Sequence, residues 1–280
     1  MHLTIAELST FLFLGAIVAG FLGSLTGLGG GVIIVPLLTL VFGVDLRYAI
    51  GTSLITVIAT SSGAASAFVR EGYSNIRIGM FLEIATTIGA LVGAYLGGIL
   101  SPELIAIVFG LVLIYSSYLS IRPRAEHAEL HSSDPLALRL RLPSNYPVNG
   151  EMVDYGVHNV ASGFSLMGIA GILSGLLGIG SGAVKVLAMD HAMKLPFKVS
   201  TTTSNFMIGV TAAASAGVYL HRGYIDPVLA MPVVLGVLGG SLVGARILGR
   251  SKPQALRIVF SIVIFIMAIE MIYNGATGRI

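Results

Sequence analysis

The sequence predicts an all-α polytopic membrane protein built from two inverted-topology repeats. Each repeat is a broken glycine-rich helical hairpin followed by three transmembrane helices. Scarce charge, long apolar runs and a duplication at a fixed offset carry that prediction. Of 280 residues, 55% are hydrophobic and only 10% charged, with a mean hydropathy of +0.92. A soluble domain carries about 25% charged residues, so this chain cannot cover a globule with solvated side chains. Runs such as 78–100, where Glu83 is the only charge, reach the ~20 apolar residues needed to cross a hydrocarbon core. They are apolar all round rather than alternating, which excludes a β-barrel. The net charge is only +3 despite a pI near 9.2, and the basic residues sit between apolar runs as topology signals do. That excludes a soluble nucleic-acid binder. The absence of Cys removes disulfides, thiolate metal sites and thiol nucleophiles.

The elements follow in order. Residues 8–42 form the first run, interrupted by Gly27-Leu28-Gly29-Gly30-Gly31. Only about eleven residues follow the glycines before Gly43, too few to span, so a helix–break–helix hairpin with its tip inside the membrane is expected. Two tilted spans are the simpler alternative. Runs at 49–69, 78–100 and 102–121 follow, each of spanning length. Segment 122–156 holds four Arg and five acids with Pro and Ser, which marks a cytoplasmic linker with a short surface helix. Runs at 160–192, 200–220, 228–248 and 253–273 complete the chain. The division is thus 1–121, first repeat; 122–156, linker; 157–280, second repeat. The N-terminus lacks the basic region of a signal peptide and is read as part of the fold.

Shifted by 151 positions, the halves align without a gap, and 26 of 94 positions between Ala19 and Val112 are identical. Composition alone would give fewer than about ten. Gly27, Gly29 and Gly31 fall on Gly178, Gly180 and Gly182, and Gly72-Tyr73 on Gly223-Tyr224. With the Arg-rich linker inside, Arg70, Arg77, Lys194, Lys198, Arg250 and Lys252 lie inside. Asp45, Arg47, the Ser101-Pro102 turn, Arg222 and Asp226 then lie outside. Matching turns fall on opposite sides, the pattern of inverted-repeat secondary transporters.

The candidate chemistry centres on the glycine tips, Gly29, Gly30 and Gly31 and their counterparts Gly180, Ser181 and Gly182. Glycine leaves backbone amides unobstructed, and each tip precedes a short helix whose N-terminal amides attract an anion. Close packing explains Gly89, Gly93, Gly97, Gly236, Gly240 and Gly244, which recur every fourth residue on one helix face. Hydroxyls at Thr52, Ser53, Thr203 and Ser204, with the Asn205 amide, offer oxyanion donors without a buried charge; interhelical hydrogen bonding is the competing reading. Lys185 lies one turn beyond Gly182, where the first half has Ile34. A buried Lys needs an anion or a carboxylate partner. Glu83 aligns with Val234 and is read as a coupling group that carries a proton, or as a pair with Lys185 or Arg77. Glu270 snorkels near a span end, and Arg246 belongs to the basic inner boundary. Ser181 lies in no Gly-x-Ser-x-Gly, no nucleotide-binding loop is present, and the His127/His131 pair sits in a solvated linker. The chain reads as a non-enzyme with no metal and no cofactor.

The pattern resembles the TauE/SafE sulfite-exporter family. The resemblance rests on Gly20-Phe21-Leu22-Gly23-Ser24-Leu25-Thr26-Gly27-Leu28-Gly29-Gly30-Gly31 followed by Pro36-Leu37, on Gly51-Thr52-Ser53, and on the repetition of this arrangement after the linker. The second half departs from it, with Ser181 for Gly30, Leu187 for Pro36 and an added Lys185. The resemblance implies transport of small sulfur-containing anions, such as sulfite, sulfoacetate or other organosulfonates, across the cytoplasmic membrane. Alternating access of the two repeats about an anion held between the tips is the expected mechanism; a passive anion channel, a membrane enzyme or a receptor-like subunit are the rivals. The implied partners are a small anionic substrate and the lipid bilayer, compatible with a homo-oligomer and without nucleic acid.

Overall fold

The computed structural model describes residues 5–24, 31–70, 73–121, 132–148, 151–248 and 253–280. The first half contributes α1 (Ile5–Ser24), α2 (Gly31–Pro36), α3 (Leu46–Arg70), α4 (Ile76–Gly97) and α5 (Pro102–Ile121). The second contributes α7 (Val160–Leu177), α8 (Gly182–Leu187), α9 (Phe197–His221), α10 (Pro227–Leu248) and α11 (Pro253–Ala276). Between them lie α6 (Pro135–Arg139) and two strands, β1 (Ser144–Val148) and β2 (Glu151–Tyr155). Helices α2 and α8 each run on into one π-helical turn, Leu37–Val41 and Ala188–Ala192. Both bounds of α2, its π turn, α3 and α4 recur 151 residues later, so the duplication read from identities is also a duplication of structure. Local chemistry sets several starts. The Asn75 side chain accepts from Ile78 N, and Asp226 accepts from Val228 N at the equivalent place in the second half. Pro102, Pro227 and Pro253 occupy first helical positions, where a missing N–H costs nothing.

The halves are interlocked. Helix α1 lies along α10 and α7 along α4, so each half packs its first helix on the fourth helix of the other. Glycine makes this possible. A Cβ on Gly89 or Gly93 would strike the carbonyl of Gly168 or Ile172, and one on Gly171 or Gly175 the carbonyl of Thr86 or Ala90. The same contacts recur between Gly236, Gly240 and Gly20 and the backbone of Phe13, Ile17 and Val237. The glycine ridges are packing surfaces, as their spacing predicts.

Two further contacts join equivalent helices. Along α3 and α9, Gly51 abuts Tyr224 while Gly209 abuts Ser61, so the helices run antiparallel. Along α5 and α11, Gly110 abuts Ile272, and the Ser117 hydroxyl donates to Ser261 O at 2.9 Å, again antiparallel. Small residues face inward and large apolar ones outward: Ile84, Ile88 and Leu91 on α4 and Ile262, Phe265 and Ile269 on α11 are exposed. That distribution suits lipid and not water. Five helices among the described residues are long and apolar enough to cross a bilayer, in α1, α4, α5, α7 and α11. The 25-residue α3 and α9 lie against each other with their Ser and Thr residues. The protein is therefore an all-α polytopic membrane protein.

The first segment of each half goes out and returns. His158 N donates to Met193 O at 3.1 Å and Asn159 Nδ2 to Ala192 O at 3.2 Å, tying the start of α7 to the end of its return helix. In the first half Leu37 and Phe42 lie against Gly15. The linker holds the expected short helix, α6, and also an antiparallel hairpin that the composition did not announce, pairing Ser144 with Tyr155 and Val148 with Glu151. Ala137, Leu142, Tyr155 and Val157 bury against Ile78, Met193, Leu195 and Val199, capping one end of the helical body.

Candidate functional site

The glycine tips meet near the middle of α3. Gly31, the first residue of α2, sits where a Cβ would contact Val57, the Ser53 hydroxyl and Gly178 O. The Ser53 hydroxyl donates to Gly178 O at 2.8 Å and lies 3.4 Å from Gly31 O, bridging the two tips. Ser204 donates to Gly182 O at 3.3 Å, the equivalent contact in the second half. Both serines thus spend their hydrogens on backbone carbonyls of the tips. Thr203 accepts from Asn75 N at 3.0 Å and fastens α9 to the start of α4 rather than to a tip. Thr52 is buried, and its hydroxyl has no partner among the described residues. Asn205 follows on α9, half-buried. Gly29 and Gly30 lie outside the described residues, as do His127 and His131.

The second tip carries the unusual backbone. Gly178 (φ 69) ends α7, Gly180 (φ 70) turns against Ile208 and Val57, and Ser181 holds φ 48 and ψ 31. A left-handed serine is disfavoured relative to glycine, which the first half has at this position. The Ser181 side chain is also buried, with its Oγ unpartnered among the described residues. A strained residue with an orphaned hydroxyl marks a place built for something other than stability.

Lys185 is fully buried. Its Nζ donates to the Thr211 hydroxyl at 2.6 Å, which leaves two of the three ammonium hydrogens without an acceptor among the described residues. Thr211 in turn lies 2.7 Å from Glu83 Oε1, which also accepts from Thr87 at 3.1 Å. Glu83 is 8% exposed and its Oε2 has no partner among the described residues. Of the two cations weighed for Glu83, Lys185 is the one brought near it, through the Thr211 hydroxyl. Arg77 instead donates to Arg141 O in the linker. Glu270 is exposed.

Two further contacts lie at the ends of α3 and α9. The Arg47 guanidinium sits 5.7 Å from the Tyr224 ring, and the Lys198 ammonium 4.0 Å from the Tyr73 ring. These are equivalent positions of the two halves, so each end of the helix pair carries one cation–π contact. At the Arg47 end the guanidinium also donates to Gly97 O and Leu100 O, and Arg222 donates to Ala94 O and Tyr95 O.

The family profile of the sulfite exporter TauE/SafE matches residues 12–271. The chain belongs to the TauE/SafE family. Among its relatives, the probable membrane transporter protein YunE of Bacillus subtilis is 27% identical over 92% of this chain and 95% of its own length. A probable membrane transporter protein of Methanocaldococcus jannaschii, MJ0441, is 28% identical over 91% and 92%. Sulfite exporter TauE/SafE family protein 5 of Arabidopsis thaliana is 27% identical over 41% of this chain and 26% of its own. No solved structure matches. The TauE/SafE resemblance read from the glycine-rich segment is therefore that of the whole chain, and a membrane transporter is its coarse function.

Thr211 is the residue that sequence reasoning missed. Its signal was the identity of Thr60 and Thr211 at the 151-residue offset, which passes unnoticed because hydroxyls are common in membrane helices.

Proposed function

We propose that this TauE/SafE protein is a secondary transporter of small sulfur-containing anions, such as sulfite and organosulfonates, in the cytoplasmic membrane. Its substrate sits beside the second glycine tip, and the two halves are inverted repeats that rock about it in alternating access. The observation that carries the reading is Lys185, a fully buried ammonium with two hydrogens unspent among the described residues. A desolvated cation gains strongly from an oxyanion and is costly without one. The orphaned hydroxyls of Ser181 and Thr52 add neutral donors of the kind a tetrahedral or pyramidal oxyanion accepts from. Gly31, Gly180 and Gly182 supply close backbone approach, Gly29 and Gly30 join them by sequence alone, and Ser53, Thr203, Ser204 and Asn205 lie on the flanking helices. Inversion is supported by the antiparallel contact of equivalent helices, α3 with α9 and α5 with α11. Rocking is supported by the matched contacts of Arg47 with Tyr224 and Lys198 with Tyr73 at opposite ends of that pair.

The test is thermal stabilisation of purified protein by sulfite, sulfate, organosulfonates, carboxylates and phosphate, followed by exchange in liposomes. A bound anion raises stability with the logarithm of its concentration over Kd. Lys185→Met should weaken binding at least about tenfold, the loss of one charge-assisted hydrogen bond. Saturable exchange stimulated by anion on the far side separates a transporter from a channel. No stabilisation by any sulfur anion, or an unchanged affinity in Lys185→Met, overturns the reading.

A further inference from the structure

We propose that Glu83, Thr211 and Lys185 form a proton-coupling switch, in which the charge of an anion entering beside Lys185 is compensated by a proton taken up on Glu83. This rests on the anion-transport reading above and adds the coupling ion to it. Three observations carry it. Lys185 and Glu83 approach only through the Thr211 hydroxyl, at 2.6 Å and 2.7 Å. Glu83 Oε2 is buried and unpartnered among the described residues, an oxygen open to a proton. Thr211 has a single hydroxyl hydrogen and two acceptors in reach, Glu83 Oε1 at 2.7 Å and Met207 O at 2.9 Å.

Charge balance sets the direction. In the empty site the ammonium and the carboxylate cancel. A monovalent anion at Lys185 would leave the buried cluster net negative, an uncompensated charge in a low-dielectric interior. Protonation of Glu83 restores neutrality. The proton comes from the aqueous side to which the site is open, forms an O–H bond at Oε2, and leaves with the anion on the other side. A neutral carboxyl is the weaker acceptor, so the Thr211 hydrogen turns to Met207 O and Lys185 is free to aim its donors at the anion.

The surroundings contain little that could substitute. Helix α4 packs on α7, which has no charged residue, and on α9, whose titratable residues Lys198, Tyr219 and His221 lie near its ends. On α4 itself Arg77 and Tyr95 are also near the ends, and α8 brings only Lys185. The equivalent positions of the other half are Ile34, Thr60 and Val234, and Thr60 donates to its own helix at Thr56 O. A fold that is duplicated throughout therefore holds this cluster once.

The test uses full-length protein in liposomes with methanesulfonate, which stays ionised at working pH and carries no proton itself. A trapped pH dye reads proton movement, valinomycin and potassium clamp the membrane potential, and labelled anion reads net uptake into vesicles that hold no anion. The expected result is about one proton moving with each anion, a linkage of two binding events. Glu83→Gln should retain a slower anion exchange, and in net uptake its proton-to-anion ratio should fall to near zero, while Thr211→Val should lower that ratio. If the variants do not fold, the wild-type ratio decides. Net wild-type uptake without proton movement, or an unchanged ratio in Glu83→Gln, overturns the switch. Wild-type protein that carries neither methanesulfonate, isethionate nor sulfite overturns the transport reading and the coupling with it.

Discussion

Replacing Ser181 by glycine should make the protein more stable and a poorer binder. Ser181 holds φ 48 and ψ 31, with its hydroxyl buried and unpartnered. The left-handed backbone costs a residue with a Cβ roughly 1–2 kcal/mol, and an orphaned hydroxyl costs about 1–3 kcal/mol. Glycine removes both and loses roughly 0.5–1 kcal/mol through greater freedom of the unfolded chain. The net gain is about 2 kcal/mol. Alanine removes only the hydroxyl, so ligand-free stability should rank Gly above Ala above Ser. The assay is the unfolding temperature of detergent-purified protein at one fixed scan rate, where about 2 kcal/mol corresponds to several degrees in a chain of this size. Both variants lack the hydroxyl and should bind the substrate anion roughly three- to tenfold more weakly, the worth of one hydrogen bond. Two results would refute the reasoning. A glycine variant no more stable than wild type would mean the tip is unstrained, and unchanged anion affinity in both would mean the hydroxyl faces no ligand.

Cysteines introduced at Ser101 and Ser251, which the sequence places between corresponding apolar runs of a chain free of Cys, should react with impermeant reagents from opposite sides of the membrane; reaction from one side removes the inverted repeat. Gly93→Val should abolish folded protein, because its Cβ meets Ile172 O across two backbones that cannot separate cheaply; normal yield of monodisperse protein would contradict the packing. Tyr155→Phe should cost about 1–2 kcal/mol by depriving Asn75 Nδ2 of an acceptor at 2.7 Å, measured as a lower unfolding temperature. Burial raises the Tyr155 phenol from its usual 10.0 to about 12, its bond with Asn75 partly opposing the rise. The neutral phenol thus favours the folded linker below pH about 10, and that contribution should fade as pH climbs towards 12 in wild type but not in the Phe variant.

Much of this protein was legible in its residues, because membrane helices must satisfy their own backbone and so declare themselves by composition. The break at Gly178, the short helix from Gly182 and the packing of Gly89 and Gly93 follow from glycine placement alone. The β-hairpin did not, although Asn149-Gly150 stands between its strands and is a strong turn signal. Its strands are half-exposed and mixed in polarity, so no alternation marks them. The roles of the hydroxyls were equally hidden. Ser53 bridges the two tips, Ser204 binds the second tip, Thr203 caps a neighbouring helix and Thr211 mediates between two charges. Identical chemistry at similar depth is sorted only by which helix lies opposite, and sequence does not give that.

The cap formed by α6 and the hairpin lies at one end of the helical body, where Asn75 Nδ2 donates to Leu142 O and to the Tyr155 hydroxyl. A strictly twofold machine would open to either side at equal cost and would spend half its time facing each. Under the alternating-access reading proposed above, the linker breaks that tie. Contacts it makes with the start of α4 must be kept or surrendered when that end opens, whereas the opposite end is tied by Arg47 and Arg222 from within the repeats. The preference for one resting orientation, and with it the concentration range over which the carrier responds on each side, is then written outside the repeats. Changes in the linker can retune it while the tips, Lys185 and Glu83 stay as they are.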